Sequence, residues 1–589
     1  MSYLSSQRRR RATLGRATAA TLATALATTA VVLTGTSAQA TPTSSTTLVV
    51  NADQTLRPVT HVGTGSLYGL ADDTTPADTL VQALKPNTFV QMAPGGSQLP
   101  NGEPKPAGDA LVVAPKAARA GAKVVARMPD WYPDFPYKWV SMSDWLSAVD
   151  KQIAAVKASN VTNISAWAIW NEPDANWDTT HAGPFDAAWS TTYKEIRSKD
   201  TTTPIQGPSF ATYTRAKMQT FLQDAIANNA VPDVIAWHEL QSSANIAAHI
   251  ADYRALESSL GLSQRPIDIE EYGTPSEMGN SGALVGYAAK FERAGVRDAE
   301  LAFWNHYGTL GDTLTDTGGS PNGSYWTYKW YGDMSGNMLV TTPPAQTGID
   351  GIAARNGAGN QISVVAGGCS GSCAVTVNGL SSLSAFGSTV HVKLEYSPDT
   401  GRTTASPGPI TVSDADYTVT NGSITVPVAM NASDGYHLVI TPSGTNTSLA
   451  GRYQITNKNS GLALDTQNAG TAQGTSVVQS TSTTGTDQNW TLTAAGSGLY
   501  KIVNQKSGLL LGITNAGTSD GGTALIWGDN GTADHLWQVI PAPGGYYKIA
   551  NYNSGRLLGV TNMSTTSGAQ VIQWTDNGTA DHLWKLTSR

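Results

Sequence analysis

The sequence predicts an α/β fold: a (β/α)8 TIM barrel, followed by a β-sandwich and a C-terminal β-trefoil. Three observations predict this order. Short apolar runs alternate with amphipathic helical stretches between about residues 60 and 308, alternating strands without a helical period follow from about 340 to 445, and a unit of 47 residues then recurs three times. A chain of 589 residues also exceeds what one hydrophobic core usually supports.

The first 40 residues have the three parts of a secretory signal peptide. A basic run from Arg8 to Arg11 precedes an apolar stretch that ends near Leu33, and Ala38-Gln39-Ala40 has the small residues of a cleavage site. The stretch is weakly hydrophobic, and no later segment has 18 consecutive apolar residues. We therefore expect a secreted, extracellular protein without membrane contact after cleavage. Both the general secretory route and the twin-arginine route remain open.

Eight candidate strands define the barrel, and we assign residues 41–335 to this domain. Each apolar run is followed by a stretch with the period of an amphipathic helix, which is typical of β-α units around a parallel sheet. Eight such units close into a barrel whose active site lies at the C-terminal ends of the strands. The predicted strands cover residues 61–68, 88–93, 123–128, 164–171, 204–208, 234–238, 266–271 and 301–305.

Residues 336–445 are predicted to form a β-sandwich, because alternating strands are separated there by Gly, Pro, Ser and Asp turns. This segment contains the only two cysteines, Cys369 and Cys373. An exported protein experiences oxidising conditions, so we expect a disulfide that closes a small hairpin. Two cysteines without nearby histidines do not favour a zinc site, and we expect no cofactor.

Residues 446–589 are predicted to form the trefoil after a short flexible linker. Ser-Gly pairs begin at Ser460, Ser507 and Ser554, and Trp490, Trp537 and Trp584 keep the same interval of 47 residues. Three copies of one unit bury a shared core that no single copy could form. A closed β-trefoil is the arrangement that we expect.

Two carboxylates are predicted at the mouth of the barrel. The fourth strand leads into Asn171-Glu172-Pro173, and the seventh leads into Glu270-Glu271-Tyr272. Hydrolysis of a glycoside needs one neutral acid and one ionised carboxylate on opposite sides of the sugar. The net charge of −7 argues against a nucleic-acid partner, and a neutral polymer suits it better.

These motifs resemble clan A of the glycoside hydrolases, and the resemblance covers roughly residues 55–445. It implies that Glu172 is the general acid/base, that Asn171 binds the sugar 2-hydroxyl and that Glu271 is the nucleophile. Glu270 is the rival nucleophile, since only one of two adjacent strand residues can point into the mouth. The clan's retaining mechanism implies that the two carboxyl groups lie about 5 Å apart.

Four further residues are candidates for the substrate site. Trp304 resembles the clan's tryptophan floor, which stacks against the sugar; the alternative is a core residue. His238 ends the sixth strand, where the clan has a hydrogen-bonding partner of the nucleophile, but a lone His can also be a satisfied core residue. Arg127 and Trp131 follow the third strand and could line the entrance or only pack within the loop.

The barrel followed by a β-sandwich looks most like family 39 of the glycoside hydrolases, which implies xylosidase, iduronidase or arabinofuranosidase activity. The C-terminal repeats resemble the ricin-type lectin fold, carbohydrate-binding module family 13, through Gln488-Asn-Trp and two His-Leu-Trp variants. In that family an Asp, an aromatic residue and an Asn form each sugar site. Here the Asp is kept only as Asp465 and becomes Gly512 and Gly559 in the later repeats. The other predicted sugar-binding residues are Trp527, Asn530, Trp574 and Asn577.

Together these observations predict a secreted retaining exo-glycosidase that trims side chains of a plant cell-wall polysaccharide. The predicted substrates are α-L-arabinofuranoside linkages of arabinogalactan or β-xylosides. We expect a monomer whose partners are plant polysaccharides or oligosaccharides. Two alternatives are an endo-acting glycanase or transglycosylase and a non-catalytic secreted lectin.

Overall fold

The computed structural model describes residues 44–317, 319–443, 449–542 and 544–589. The predicted signal peptide therefore lies outside the described residues. Within the described ranges no helix combines the length and the apolar character needed to cross a membrane. The first strand among the described residues is β1 (Thr47–Pro58), and a closed barrel of eight parallel strands follows. The strands of the barrel are β2 (Gly65–Leu67), β3 (Thr88–Met92), β4 (Lys123–Arg127), β5 (Ile164–Ala168), β6 (Ile205–Phe210), β7 (Val234–Glu239), β8 (Ile267–Tyr272) and β9 (Asp298–Leu301).

Helices surround this barrel and alternate with its strands. They are α1 (Asp78–Leu84), α2 (Ala110–Arg119), α3 (Met142–Ala158), α4 (Pro173–Asn176), α5 (Thr179–Ala182), α6 (Phe185–Lys199), α7 (Arg215–Ala227), α8 (Ile246–Ser259), α9 (Ser281–Ala294) and α10 (Gly323–Asp333). Helix α3 shows how they form: the side chain of Ser141 accepts a hydrogen bond from the Asp144 backbone N–H, and Trp145, Val149 and Ile153 are buried on one face. The predicted TIM barrel is confirmed.

The eighth strand differs from its prediction. The sequence predicts it at residues 301–305, whereas β9 spans Asp298–Leu301. The apolar run that begins at Leu301 suggests a strand, but the strand that is buried in the barrel includes the charged Asp298 and Glu300. Because β9 ends early, Trp304 lies in the loop beyond the strand, at the mouth of the barrel.

A nine-stranded sheet follows the barrel in sequence and incorporates β1. Its other strands are β10 (Asn337–Thr342), β11 (Asp350–Arg355), β12 (Ile362–Gly367), β13 (Gly371–Asn378), β14 (Thr389–Ser397), β15 (Ile410–Thr418), β16 (Ile424–Met430) and β17 (Gly435–Pro442). Strands β15 and β16 lie at opposite edges, yet Val412 and Val426 belong to one core, so the sheet folds over as a sandwich. The predicted disulfide between Cys369 and Cys373 is present.

The N-terminal strand is assigned differently by sequence and structure. The sequence assigns residues 41–335 to the barrel, whereas β1 pairs with β10 and β13 of the sandwich sheet. Helix α9 also joins the two parts, because Lys290 and Arg293 bind the buried Asp350 of β11. The sandwich sheet therefore contains strands that precede and follow the barrel in sequence. It contacts the barrel domain through α9.

The C-terminal domain is a β-trefoil, as predicted. Its strands are β18 (Gly451–Asn457), β19 (Ala463–Thr466), β20 (Val477–Ser480), β21 (Asn489–Gly496), β22 (Leu499–Asn504), β23 (Leu510–Ile513), β24 (Ala524–Trp527), β25 (Trp537–Ala542), β26 (Tyr546–Asn551), β27 (Leu557–Val560), β28 (Val571–Trp574) and β29 (Trp584–Ser588). Trp490, Trp537 and Trp584 are fully buried in one core. Their indole N–H groups donate to equivalent backbone carbonyls at 2.9, 3.0 and 2.8 Å, so the three repeats are equivalent in structure.

Candidate active site

A small cavity opens at the C-terminal ends of the barrel strands, where enzymes of this fold have their active sites. Its volume is about 150 Å³. Side chains that are far apart in sequence line this cavity. The lining consists of Leu67, Tyr68, Gln98, Pro100, Asn101, Arg127, Phe135, Asn171, Glu172, Leu240, Glu271, Phe303 and Trp304.

Glu172 is held by an unusual backbone conformation just beyond β5. It adopts φ 50° and ψ 51°, a left-handed conformation that is uncommon for residues other than glycine, and its N–H donates to the Ser209 carbonyl at 2.8 Å. Pro173 then begins α4. Such backbone strain is concentrated at functional sites. The side chain reaches the cavity and receives a hydrogen bond from Asn176 on Oε2 at 3.0 Å.

Glu271 reaches the same cavity from β8 and is bound by Arg127. The guanidinium donates to Glu271 Oε1 at 2.8 Å, and the Arg127 side chain is only 2 % exposed. Arg127 thus compensates the negative charge of a nearly buried carboxylate. The structure places Arg127 against the carboxylate, and its Nε and Nη2 have no hydrogen-bond partner among the described residues.

Glu270 is fully buried but does not line the cavity. Its Oε1 accepts a hydrogen bond from Gln206 at 2.6 Å inside the barrel. The register between β7 and β8 is interrupted, because Trp237 pairs with Ile269 and His238 pairs with Glu271. This bulge allows two adjacent carboxylates to be buried within the barrel, which strict alternation of side chains would not. Of the two rivals, Glu271 is the one exposed to the cavity.

His238 lies between the two carboxylates. Its Nδ1 is 3.2 Å from Glu172 Oε1, and its Nε2 is 3.8 Å from Glu271 Oε1. Burial alone would lower the pKa of His238, but the negative charges of Glu271, Glu172 and Glu270 raise this pKa to about 10. Burial alone would raise the pKa of Glu172, but the hydrogen bond and charge of His238 lower it. The contact therefore favours a protonated imidazole beside an ionised Glu172 in the free protein.

We expect His238→Asn to move the alkaline limb of the kcat/KM profile to lower pH. In the wild type the pair keeps its proton until the pH approaches the His238 pKa of about 10. In the variant Glu172 alone must hold that proton, so the limb should move down by about two pH units or more. The pH dependence of kcat/KM measures this shift. His181→Asn, at an exposed histidine on α5, is the matched control, and equal profiles for the two variants would contradict the assignment.

The other predicted substrate residues are only partly brought together. Asn171 and Trp304 line the cavity; Asn171 Oδ1 is buried without a partner among the described residues, and Trp304 donates to the Gly273 carbonyl at 3.3 Å. Trp131 does not line the cavity. It ends a short helical turn, Met128–Trp131, and Lys151 Nζ of α3 lies 5.7 Å from the centre of its ring.

A buried polar network behind the wall of the cavity was not predicted from the sequence. The Tyr68 hydroxyl lies 2.6 Å from Asp130 Oδ2 and 2.9 Å from Gln98 Oε1, and Tyr137 donates to Asp130 Oδ1 at 2.7 Å. Burial raises the pKa of Asp130 to about 6 despite the nearby Arg127. The only available signal was the position of Tyr68 directly after the first strand. No group of three or more potential metal ligands occurs in the part of the chain that the structure describes.

The predicted sugar-binding residues of the trefoil occupy different environments. Asp465 is buried and accepts a hydrogen bond from Gln488 at 3.0 Å, whereas Trp527 and Trp574 are each 40 % exposed. Asn530 and Asn577 are exposed, and each accepts a hydrogen bond from a backbone N–H two residues later. A groove of about 420 Å³ lies beside Trp574 and Asn577.

A carboxylate lies beside the position of the Asp that the third repeat lacks. Asp581 lines the groove, and a Cβ placed on Gly559 would lie 3.2 Å from Asp581 Oδ2. The carboxylate of Asp581 thus stands beside the position where the family has its Asp. His582 also lines the groove, and its buried Nδ1 has no hydrogen-bond partner among the described residues.

Comparison with known proteins finds a family match in the C-terminal region and similarity to curated glycosidases. Residues 436–527 and 533–589 match the family described as ricin-type beta-trefoil lectin domain-like. Over 454 residues the chain is 28% identical to a 3-O-alpha-D-galactosyl-alpha-L-arabinofuranosidase of Bifidobacterium longum subsp. longum. The aligned region covers 64% of this chain and 39% of that relative. The chain is 27% identical over 453 residues to a 3-O-beta-L-arabinopyranosyl-alpha-L-arabinofuranosidase of Bifidobacterium pseudocatenulatum, covering 64% and 46%. The chain thus spans less than half the length of these curated relatives.

One solved structure is similar to this chain over its own full length. The structure of N2152 from Neocallimastix frontalis is 34% identical, with a TM-score of 0.64. The match covers 68% of this chain and 100% of that one. This chain therefore belongs to the same protein family as N2152 of Neocallimastix frontalis.

Proposed function

We propose that this chain is a secreted retaining glycoside hydrolase that removes terminal α-L-arabinofuranosyl side chains from a plant polysaccharide. The observation that carries the proposal is that Glu172 and Glu271 line one cavity with a single imidazole between them. Both curated relatives are named as α-L-arabinofuranosidases, which supports an arabinofuranoside as the substrate. A β-xyloside remains the second choice for the sugar.

Hydrolysis proceeds by double displacement in this proposal. Glu271 attacks the anomeric carbon and forms a glycosyl ester, while the bond to the leaving oxygen breaks and Glu172 gives that oxygen its proton. Water then attacks the same carbon, Glu172 takes a proton from it, and the ester bond to Glu271 breaks. The first step removes the proton of the Glu172–His238 pair and the second step restores it, and the 3.2 Å contact allows that proton to move between the two groups.

The roles of the remaining residues follow from their contacts. Arg127 holds Glu271 in position for attack, because its guanidinium binds Oε1. Asn171 offers an acceptor oxygen without a partner among the described residues, which suits a sugar hydroxyl. Trp304 presents an aromatic surface on the wall of the cavity, where the apolar face of a sugar can stack.

The experiment that tests this proposal is a product analysis. Purified protein and the Glu172→Gln variant are incubated with p-nitrophenyl α-L-arabinofuranoside, p-nitrophenyl β-xyloside, xylan and arabinogalactan, and the released sugars are separated by chromatography. Release of arabinose by the wild type alone supports the proposal. A rapid fall in polymer viscosity would instead indicate an endo-acting enzyme, and no release at all would indicate a lectin.

The trefoil has a proposed role of its own, which is to bind sugar in the groove beside Trp574. Trp574 supplies the stacking surface, and Asp581 and His582 supply polar groups for hydroxyls. Binding there would raise the concentration of the barrel on an insoluble polymer. The site thus resembles the ricin-type arrangement, with the carboxylate supplied by Asp581.

Trp574→Ala is expected to weaken binding to insoluble arabinogalactan or xylan about tenfold. The kcat for a small soluble glycoside should not change, since the barrel cavity is lined by none of the trefoil residues. A pull-down with the insoluble polymer measures the first effect, and a chromogenic assay measures the second. Trp490→Phe in the buried core is the control for fold. Unchanged polymer binding by Trp574→Ala would refute the assignment of this groove.

A further inference from the structure

Phe135 is an exposed aromatic residue on the wall of the active-site cavity. Among the described residues that line this cavity, only Asn101 and Phe135 are exposed, and only Phe135 of the two has an aromatic side chain. Phe135 is 46 % exposed, whereas Phe303, which also lines the cavity, is 8 % exposed. The ring of Phe135 therefore lies where the cavity opens to solvent.

The position of Phe135 matters more than its exposure. A single exposed apolar side chain carries no meaning by itself, because such residues are common on protein surfaces. Val140, in the same loop between β4 and α3, is 66 % exposed and does not line the cavity. Phe135 differs from Val140 because it shares the lining of one cavity with the carboxylates of Glu172 and Glu271. This places an exposed aromatic surface at the candidate active site.

The ring of Phe135 is held by a buried neighbour. It meets the ring of Tyr137 edge to face, with ring centres 5.4 Å apart. Tyr137 is buried, and its hydroxyl donates to Asp130 Oδ1 at 2.7 Å. The loop is also joined to the loop after β3, because the Leu99 N–H donates to the Pro133 carbonyl at 3.1 Å. An aromatic surface that is fixed in this way loses little conformational entropy when a ligand binds.

The size of the cavity leaves part of the proposed substrate outside it. The cavity volume of about 150 Å³ lies below the range of about 300–1,000 Å³ that is typical of pockets for drug-sized ligands. An arabinofuranosyl side chain of a polysaccharide is always bonded to at least one further sugar ring. Both carboxylates must reach the anomeric carbon of the arabinofuranosyl unit inside the cavity, so the further ring lies at the mouth.

We propose that Phe135 forms a second sugar subsite at the mouth of the cavity, where its ring stacks against the apolar face of the sugar bonded to the arabinofuranosyl unit. This sugar is either the leaving group or a substituent on the arabinofuranosyl ring, and both offer an apolar face to an aromatic ring. Phe135 is then a specificity-determining residue that favours two-ring units over single rings. The inference rests on the proposed function and adds a subsite to the same site.

The test uses three substrates of the full-length protein, none of which carries an aromatic group of its own. The first is methyl α-L-arabinofuranoside, which has one ring. The second is the same glycoside with a galactosyl unit on O-3. The third is a disaccharide in which an α-L-arabinofuranosyl unit is bonded to galactose as the leaving group. The released sugars are measured by chromatography, and kcat and KM are determined for the wild type and for Phe135→Ala.

We expect Phe135→Ala to raise KM about five- to tenfold for at least one two-ring substrate and less than twofold for the methyl glycoside. The value of kcat should change little, because the lost contact binds the ground state and the transition state equally. An effect on the second substrate places Phe135 beside a substituent, and an effect on the third places it beside the leaving group.

Three further variants separate stacking from a structural effect. Phe135→Tyr should keep the wild-type KM values, since it retains the aromatic ring. Phe135→Leu keeps an apolar side chain without the flat aromatic face, so it should behave like Phe135→Ala and replaces it if that variant does not fold. Val140→Ala, in the same loop but outside the cavity lining, is the matched control and should leave all three KM values unchanged.

Two results separate this inference from the proposed function. Equal changes of KM on all three substrates, or unchanged KM values in every Phe135 variant, would overturn the subsite while the proposed function stands. If the wild type releases sugar from none of the three substrates and from no other glycoside, the proposed function fails and the subsite fails with it.

Discussion

Glu271→Gln is expected to lower kcat/KM by about 10⁴-fold or more, because an amide cannot form the glycosyl ester through which the reaction proceeds. The variant should still fold, since the oxygen of the introduced amide can accept a hydrogen bond from Arg127. Initial rates on p-nitrophenyl α-L-arabinofuranoside measure the loss. A smaller variant, Glu271→Gly, should be reactivated by azide and yield a glycosyl azide of inverted configuration.

Glu270→Gln is the matched control for this prediction, since it changes the adjacent carboxylate that lies outside the cavity lining. Its Oε1 binds Gln206, so a moderate loss through packing is expected, without any glycosyl azide when Glu270→Gly is treated with azide. If the position 270 variant instead lost all activity and gave the inverted azide, Glu270 would be the nucleophile. The assignment of Glu271 would then be wrong.

The second large effect is expected for Glu172→Gln, and it should depend on the leaving group. A sugar leaving group needs a proton, so kcat/KM should fall by about 10² to 10⁴ on an oligosaccharide. A 2,4-dinitrophenolate leaves without a proton, so kcat/KM for the dinitrophenyl glycoside should fall far less. Comparing the two substrates measures the contribution of the proton alone.

Glu239→Gln is the control, because Glu239 is a buried glutamate at the end of β7 that bonds to Trp237 and His249 and does not line the cavity. Its effect should be similar for both leaving groups. Equal losses on both substrates for Glu172→Gln would show that Glu172 does not act as the general acid.

The architecture was predictable because its signals are periodic. The alternation of apolar runs and helical stretches predicted the barrel, and the interval of 47 residues predicted the trefoil and the equivalence of Trp490, Trp537 and Trp584. The origin of β1 was not predictable, since strand pairing between residues 47–58 and the sandwich is set by tertiary contacts and leaves no local pattern. The end of β9 was misplaced because the apolar residues after Leu301 continue into the loop.

The residues of the candidate site that lie next to strand ends were predicted from the sequence. Positions that depend on the conformation of a loop were predicted less well. Glu172, Glu271, Asn171 and Arg127 lie next to strand ends, and the structure places all four in one cavity. Trp131 is only a few residues further along, yet it ends the turn of Met128–Trp131 and does not line the cavity. The position of Asn101 in the cavity lining could not be found in advance, because its partner Phe303 is about 200 residues away.

The bulge in β8 had the largest consequence that sequence reasoning could not anticipate. It buries Glu270 and Glu271 together around His238, and their combined negative charge contributes to the raised pKa of that imidazole. Strict alternation of side chains would have left His238 with fewer carboxylate neighbours. The raised pKa of His238 thus depends in part on the local geometry of β8.

The measurement that tests the central claim most directly is the anomeric configuration of the first sugar released by the wild type, followed by proton NMR during the first turnovers. Double displacement through Glu271 predicts that the released sugar has the same configuration as the substrate before it equilibrates in water. Release of the inverted anomer would contradict the covalent role of Glu271 and the account of the site that depends on it.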